Sequence, residues 1–144
     1  MTTIDALESR TPWHLWAVAV LTLLWNGSGA VTILLAQMGR LTGIDPDEAA
    51  YYAAQPLWLV IATNIATLAP VAAGVALLLR SQTAVWLFAL SLALILVNNV
   101  YELVAGTSRA LVNQGALIVT IVIVVIAILQ LVYSNAMKKR GVLR

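Results

Sequence analysis

One carboxylate, that of Glu102, lies at the edge of a long uncharged stretch in this 144-residue chain. An acidic residue in apolar surroundings is a candidate proton carrier or cation ligand, because an unpaired charge is costly there. A salt bridge from Glu102 to Arg40 or Arg109 is the alternative, and the short distance from Glu102 to the end of its stretch favours it.

Polar side chains elsewhere recur every three or four residues, which is the spacing of one helix face. Depth along a helix follows from its rise of about 1.5 Å per residue. The asparagines and threonines of the four stretches lie roughly 10–15 Å from one common end of the set of helices, and Glu102 lies about 5 Å from that end. Toward the other end the facing positions offer few polar groups. The candidate ligand-binding set is Asn26, Asn64, Asn98, Glu102, Thr120 and Trp25.

Two interpretations of this polar set stay open. A chamber lined by these side chains would bind a small solute or an ion. Membrane helices also use Asn, Thr and small residues to associate with one another, and this packing role is the more common one. Asn98 and Asn99 point about 100° apart on a helix, so at most one of them faces squarely inward.

The remaining composition argues against catalysis. The chain has no Cys and one His, so disulfides, thiolate metal sites and His-based metal sites find no ligands. No phosphate-binding loop, dinucleotide glycine pattern, zinc-protease motif or nucleophile elbow occurs. We therefore expect no enzyme, no catalytic residue, no metal and no cofactor.

The elements that position these residues follow from hydropathy. Hydrophobic residues make up 62% of the chain and charged residues 10%, with a mean hydropathy of +0.95, whereas soluble domains carry about 25% charged residues. Lipid is therefore the expected solvent, and the apolar stretches must be helical there. The predicted fold is all-α, a single domain over 1–144 built as an up-and-down bundle of four transmembrane helices. The predicted helices are 13–36, 57–79, 84–105 and 113–134.

Basic residues divide unevenly between the two ends of this predicted bundle. Six of them, Arg10, Arg80, Lys138, Lys139, Arg140 and Arg144, lie at the end with both termini, and two, Arg40 and Arg109, lie at the other. By the positive-inside rule, both termini are expected in the cytoplasm.

The first external loop contains the sequence Asp45-Pro46-Asp47-Glu48. Asp at the cap, Pro at the first helical position and Glu three residues after the cap predict a short helix over about 46–54. We expect this helix to lie flat at the membrane interface, as a linker that covers the end of the bundle or, alternatively, as a lid over a substrate.

Three further features carry expectations. Trp25 lies at mid-membrane, and because its indole N–H needs a partner, we expect it in the bundle interior. His14 is expected to be an interfacial anchor. The basic tail from Lys138 to Arg144 is expected to contact anionic lipid headgroups, and we expect no nucleic-acid partner.

Several segments together resemble a family of small four-helix inner-membrane proteins of proteobacteria, often labelled "sugar transporter" or left uncharacterised. The resemblance covers 11–144 and rests on Thr11-Pro12-Trp13-His14-Leu15-Trp16, Leu24-Trp25-Asn26 with Gly29-Ala30, Asp45-Pro46-Asp47-Glu48 to Trp58, and the terminal Arg140-Gly141-Val142-Leu143-Arg144. It implies a bacterial inner-membrane location and a transport role. An Asp-Tyr pair follows the Trp-Asn segment in that family, whereas this chain has Val31-Thr32, so a role of that Asp does not carry over.

Two classes of function follow. The first is transport or binding of a small polar solute through an outward-facing polar chamber, in an oligomer because four helices make a thin path. The second is a non-catalytic accessory or assembly subunit whose small-residue faces dock onto a larger membrane complex.

Overall fold

A computed structural model describes residues 11–43, 45–108 and 113–144, and these residues form five helices. The helices are α1 (Trp13–Gln37), α2 (Pro46–Ala53), α3 (Leu57–Leu78), α4 (Thr83–Val104) and α5 (Gln114–Lys139). All except α2 are long and apolar enough to cross a membrane. The prediction of an all-helical chain with four such helices is confirmed. Arg10 and Arg109, used above for the orientation and for a salt bridge, lie outside the described residues.

Local sequence explains where the helices begin and end. The Asp45 carboxylate accepts a hydrogen bond from the Asp47 backbone N–H at 3.0 Å and Pro46 takes the first helical position, so α2 begins where the capping pattern predicts it. Asn113 caps α5 in the same way through the N–H of Gly115. The α5 helix continues to Lys139, five residues past the predicted end at Ser134, because Ala, Met and Lys favour helix after the apolar run has ended.

The long helices pack in an arc in the order α1, α3, α4, α5. A close approach within it joins α1 to α3 at Gly74, where an added Cβ would lie 2.8 Å from a methyl carbon of Leu23. Small residues on α3, among them Ala66, Ala69 and Ala73, are buried along the same helix. Small side chains therefore let α3 sit at the centre of the arc. The two outer helices, α1 and α5, lack comparable backbone packing against each other within the described ranges.

Both described ends of the chain lie at one end of the bundle, called here the terminal end; the opposite end, which carries α2, is called the α2 end. The apolar core belongs to the terminal half, where Leu15, Leu77 and Phe88 are buried with Leu143. Few polar groups interrupt it, as the sequence predicts for this half.

The C-terminal tail contributes to this core, a contact that the sequence analysis does not predict. Val142 and Leu143 are buried. The Arg144 backbone N–H donates to Arg80 O at 2.7 Å, and Gln82 N–H donates to Arg144 O at 3.0 Å. Val142 and Leu143 lie among the basic residues of the tail. Because burying these two apolar side chains is favourable, the tail folds back against the turn between α3 and α4.

Candidate functional site

A cavity of about 780 Å³ occupies the α2 half of the molecule, inside the concave face of the arc. All five helices or the segments joining them contribute to its lining. Its location follows from the packing order, because α1 and α5 flank the arc and leave a gap between them. This volume is in the range of small-molecule sites.

The α3 and α4 helices form a polar wall of the cavity. Asn98 of α4 is 8% exposed and donates from Nδ2 to Thr63 Oγ1 of α3 at 3.1 Å. Two turns away on α4, the buried Ser91 hydroxyl donates to Ala66 O at 2.6 Å. These two contacts tie the helices together, and they leave Asn98 Oδ1 buried without a hydrogen-bond partner among the described residues.

The α2 helix lies over the cavity, to which it contributes Glu48, Tyr51 and Tyr52. The Tyr51 hydroxyl donates a hydrogen bond to Glu102 Oε1. Burial of the phenol, followed by the hydrogen bond to Glu102 and its negative charge, raises the pKa of Tyr51, so the hydroxyl keeps its proton at neutral pH. This contact fastens α2 to the end of α4.

Of the two salt bridges predicted for Glu102, the one with Arg40 is wrong. Among the described residues Glu102 is bonded to Tyr51 and forms no ion pair with Arg40, which is exposed in the segment after α1. Tyr51 lies close enough because the cap at Asp45 starts a helix that carries it back over the bundle. The other predicted partner, Arg109, lies outside the described residues.

Side chains of α1 and α5 close the cavity toward the terminal end. Gln130 Nε2 donates to Thr22 Oγ1 at 3.5 Å, a long contact. Farther down the same seam, His14 Nδ1 and the Tyr133 hydroxyl form a hydrogen bond of 2.6 Å. A shallow groove of about 300 Å³ follows the seam between these helices. The cavity therefore has a floor where α1 and α5 meet, above the apolar core.

Five of the six predicted site residues line the cavity: Trp25, Asn26, Asn98, Glu102 and Thr120. Asn64 does not, because its Nδ2 donates to Gln37 Oε1 at 2.8 Å and to Val60 O at 2.7 Å. The sixth residue thus joins α1 to α3. Its helical position beside the polar face of α3, rather than on it, is consistent with this placement.

Trp25 lies in a different environment from the one predicted. Its side chain is 47% exposed and lines the cavity at the gap between α1 and α5, instead of being enclosed in the bundle interior. The physical reason is the divergence of these two helices, which turns an inward helix position into the rim of a gap. The expectation of an interior Trp25 is wrong.

Sequence reasoning missed several lining residues. Tyr51 and Tyr52 belong to the predicted covering helix, Gln55 follows it, and Thr63 lies on α3; none of them is in the predicted set. Gln55 Oε1 is buried and, like Asn98 Oδ1, has no hydrogen-bond partner among the described residues. Two adjacent tyrosines followed three residues later by Gln are the signal that the sequence offers.

A lining that combines polar and apolar side chains suits the binding of a small molecule. Hydrogen-bonding groups line the cavity from α1, α3 and α4, and α5 contributes Thr120 beside Ile118, Val119 and Val122. No group of three or more His, Cys, Asp or Glu residues that could hold a metal ion occurs in the described part of the chain. Compared with family models, with curated proteins and with solved structures, the chain finds no match.

Proposed function

We propose that this multi-pass membrane protein binds a small solute in the cavity under α2, as the first step of transport across the membrane. The observation that carries the proposal is the cavity itself: about 780 Å³ of space lined by polar and apolar groups and closed at the terminal end. Sites for small molecules have this size and this mixture of apolar walls with a few polar groups.

The packing interpretation explains only part of the polar set. Asn64 fits the packing interpretation, because its Nδ2 donates to Gln37 Oε1 of the neighbouring helix. Asn98 instead leaves Oδ1 buried and unpartnered beside open space. Buried polar atoms in proteins are nearly always satisfied, so a bound solute that donates a hydrogen bond accounts for this oxygen.

The direction of access follows from the charge distribution. In the sequence, six Lys and Arg residues flank the predicted helices on the side of the two termini and two flank them on the other side, and this pattern supports a cytoplasmic location for both termini. In that orientation α2 lies at the outer membrane interface and the cavity opens outward. The resemblance to proteobacterial inner-membrane proteins supports the bacterial inner membrane as the location and transport as the role.

Cysteine protection tests solute binding directly, because the chain has no Cys of its own. Thr120→Cys places a thiol in the cavity lining, and Ile121→Cys is the matched control on the next, 52% exposed residue, which does not line the cavity. We expect a water-soluble, membrane-impermeant thiol reagent to label the first variant and not the second in proteoliposomes. At least one solute of a panel of sugars, amino acids and amines should slow that labelling.

Equal and slow labelling of the two variants would mean that water does not reach the cavity, and the binding proposal would be wrong. Labelling of Thr120→Cys that no solute in the panel slows would contradict it as well. A variant that fails to insert is identified by its proteolysis pattern, and Ala116→Cys, one turn away in the same lining, then replaces Thr120→Cys.

A role as an accessory subunit is the second candidate, and the exposure of α5 favours it. Only 6% of the most apolar stretch of α5 is buried, against 39% for α3. A partner helix, like lipid, would cover such a face. Gentle detergent extraction followed by sizing separates the two roles: co-migration with a larger membrane complex supports the subunit, and a homo-oligomer stabilised by solutes supports the transporter.

A further inference from the structure

The charged groups around the cavity are of one sign. Glu48 and Glu102 line it, and no Lys, Arg or His is among the described lining residues. The hydrogen-bond partner of Glu102 is a neutral phenol, which leaves the charge of the carboxylate uncompensated by that contact. An ionised carboxylate only accepts hydrogen bonds, so Glu102 favours an occupant that is positively charged and donates.

Four hydroxyl groups of the lining already donate their hydrogens to backbone carbonyls. Ser28 donates to Trp25 O at 2.9 Å, and Thr32 donates to Ser28 O at 3.0 Å. On the opposite helices, Thr67 donates to Thr63 O at 2.5 Å and Ser91 to Ala66 O. A hydroxyl that donates to a carbonyl can only accept from a ligand. These side chains therefore add acceptors to the cavity and no donors.

Two amide oxygens point to the same deficit of donors. Asn98 is 92% buried and donates one amide hydrogen to Thr63 Oγ1, while its Oδ1 has no partner among the described residues. Gln55 Oε1, at the α2 end of the cavity, is also buried without a hydrogen-bond partner among the described residues. An N–H group of a ligand would satisfy either oxygen, whereas an acceptor such as a carboxylate would not.

Aromatic and aliphatic side chains indicate the rest of the ligand. Trp25, Tyr51 and Tyr52 line the cavity, and aromatic ring faces attract cations. Exposed side chains of α5, including Ile118 and Val119, form the apolar side. A ligand that matches both the aromatic rings and the apolar surface of α5 carries a cationic head and an apolar body.

From these observations we propose that the cavity binds a protonated alkylamine, with its ammonium group between Glu102 and Asn98 and its apolar body against α5. This proposal rests on the proposed solute-binding function and names the chemical class of the solute. A neutral polyol would satisfy the acceptor oxygens but leave the charge of Glu102 uncompensated, and an anion would be repelled by that charge.

Three ligands of nearly equal size test the charge preference: phenethylammonium, 2-phenylethanol and 3-phenylpropanoate. Binding of each to the protein in lipid nanodiscs is measured by equilibrium dialysis, with empty nanodiscs subtracted. We expect phenethylammonium to bind about tenfold or more tightly than the alcohol, because hydrogen bonds between charged partners are about twice as strong as neutral ones, and the carboxylate to bind weakest.

Variants then assign the preference to the cavity. Glu102→Gln should reduce the preference for the amine to less than about threefold, whereas Asp47→Asn, which removes an exposed acid of α2 that does not line the cavity, should keep it. Glu48→Gln serves as a second variant where Glu102→Gln does not fold. The comparison of the three ligands on the unaltered protein needs no variant at all.

Each outcome decides between the two proposals. Equal binding of the amine and the alcohol, or an amine preference that survives both Glu102→Gln and Glu48→Gln, would overturn the alkylamine assignment and leave solute binding intact. A sugar that protects Thr120→Cys while phenethylammonium does not would do the same. Absence of protection by every solute would overturn the proposed function itself.

Discussion

Asn64 and Asn98 show at the scale of single residues how one side-chain type serves two purposes in this bundle. Asn64 donates across the seam between α1 and α3 and to its own helix. Asn98 holds α4 to α3 with its amide nitrogen, and its buried Oδ1 has no hydrogen-bond partner among the described residues. The difference lies in which helix each one faces, because only Asn98 faces the gap that the arc encloses.

The hydrogen bond from Tyr51 to Glu102 is the residue contact that holds α2 over the cavity. Tyr51→Phe removes the donor and should destabilise the protein by about 1 kcal/mol, the usual net worth of one hydrogen bond. Tyr101→Phe is the matched control, since the ring of Tyr101 packs on Trp58 at 4.6 Å and no hydrogen bond of its hydroxyl is seen. Thermal unfolding in detergent measures both, and equal losses would contradict the role of the contact.

The same contact has a predictable pH dependence. Burial and the neighbouring Glu102 raise the pKa of Tyr51 above its ordinary value of about 10. A group whose pKa is raised by folding stabilises fully below its unfolded pKa and loses that contribution as the pH rises through the folded value. The stability difference between the unaltered protein and Tyr51→Phe should therefore stay constant from about pH 6 to 9 and shrink above about pH 10. A difference that grows at alkaline pH would show the opposite sign.

At the scale of elements, apolar runs and capping residues predict where the helices lie, as the starts of α1 at Trp13 and α2 at Pro46 show. Helix periodicity also identifies inward faces, and five of six candidate residues reach the cavity. Periodicity cannot tell how far apart two helices stand, so the exposure of Trp25 and the contact of Tyr51 with Glu102 were not predictable. Both depend on tertiary distances.

The close contact between α1 and α3 at Gly74 leads to a prediction about stability. Gly74→Ala adds a Cβ 2.8 Å from a Leu23 methyl carbon, whereas Gly27→Ala, in the middle of α1, adds one with nothing within 4 Å. Both changes gain about 1 kcal/mol of helix propensity, and only the first is overpacked, at a cost of about 1 to 3 kcal/mol. Gly74→Ala should therefore unfold at lower temperature than Gly27→Ala. Equal stabilities would mean that the helices separate without cost.

The C-terminal tail acts as an element of the core rather than as a free end. Leu143 is 1% exposed, so Leu143→Ala should cost about 2 to 5 kcal/mol. Leu129→Ala is the control, because Leu129 lies on α5 with 61% of its side chain exposed and surface substitutions typically change stability by about 0.5 kcal/mol or less. Unfolding by increasing SDS fractions measures the pair. A tail that only touches lipid would give two equally small effects.

For the whole molecule, the helices α1 and α5 meet through side chains near the termini and diverge toward α2. An apolar core in one half and a cavity in the other give the bundle two unlike ends. The unequal distribution of Lys and Arg runs along the same axis. The orientation of the protein in the membrane therefore determines the aqueous compartment from which the proposed ligand enters the cavity.

Two single-cysteine variants test that sidedness in intact cells. Ala53→Cys lies on the exposed surface of α2, and Gln82→Cys lies at the exposed turn between α3 and α4 at the terminal end. If the six basic residues keep the terminal end in the cytoplasm, an impermeant thiol reagent should label Ala53→Cys in intact cells and Gln82→Cys only after permeabilisation. The reverse pattern would place the mouth of the cavity in the cytoplasm, and the ligand would then bind from inside the cell.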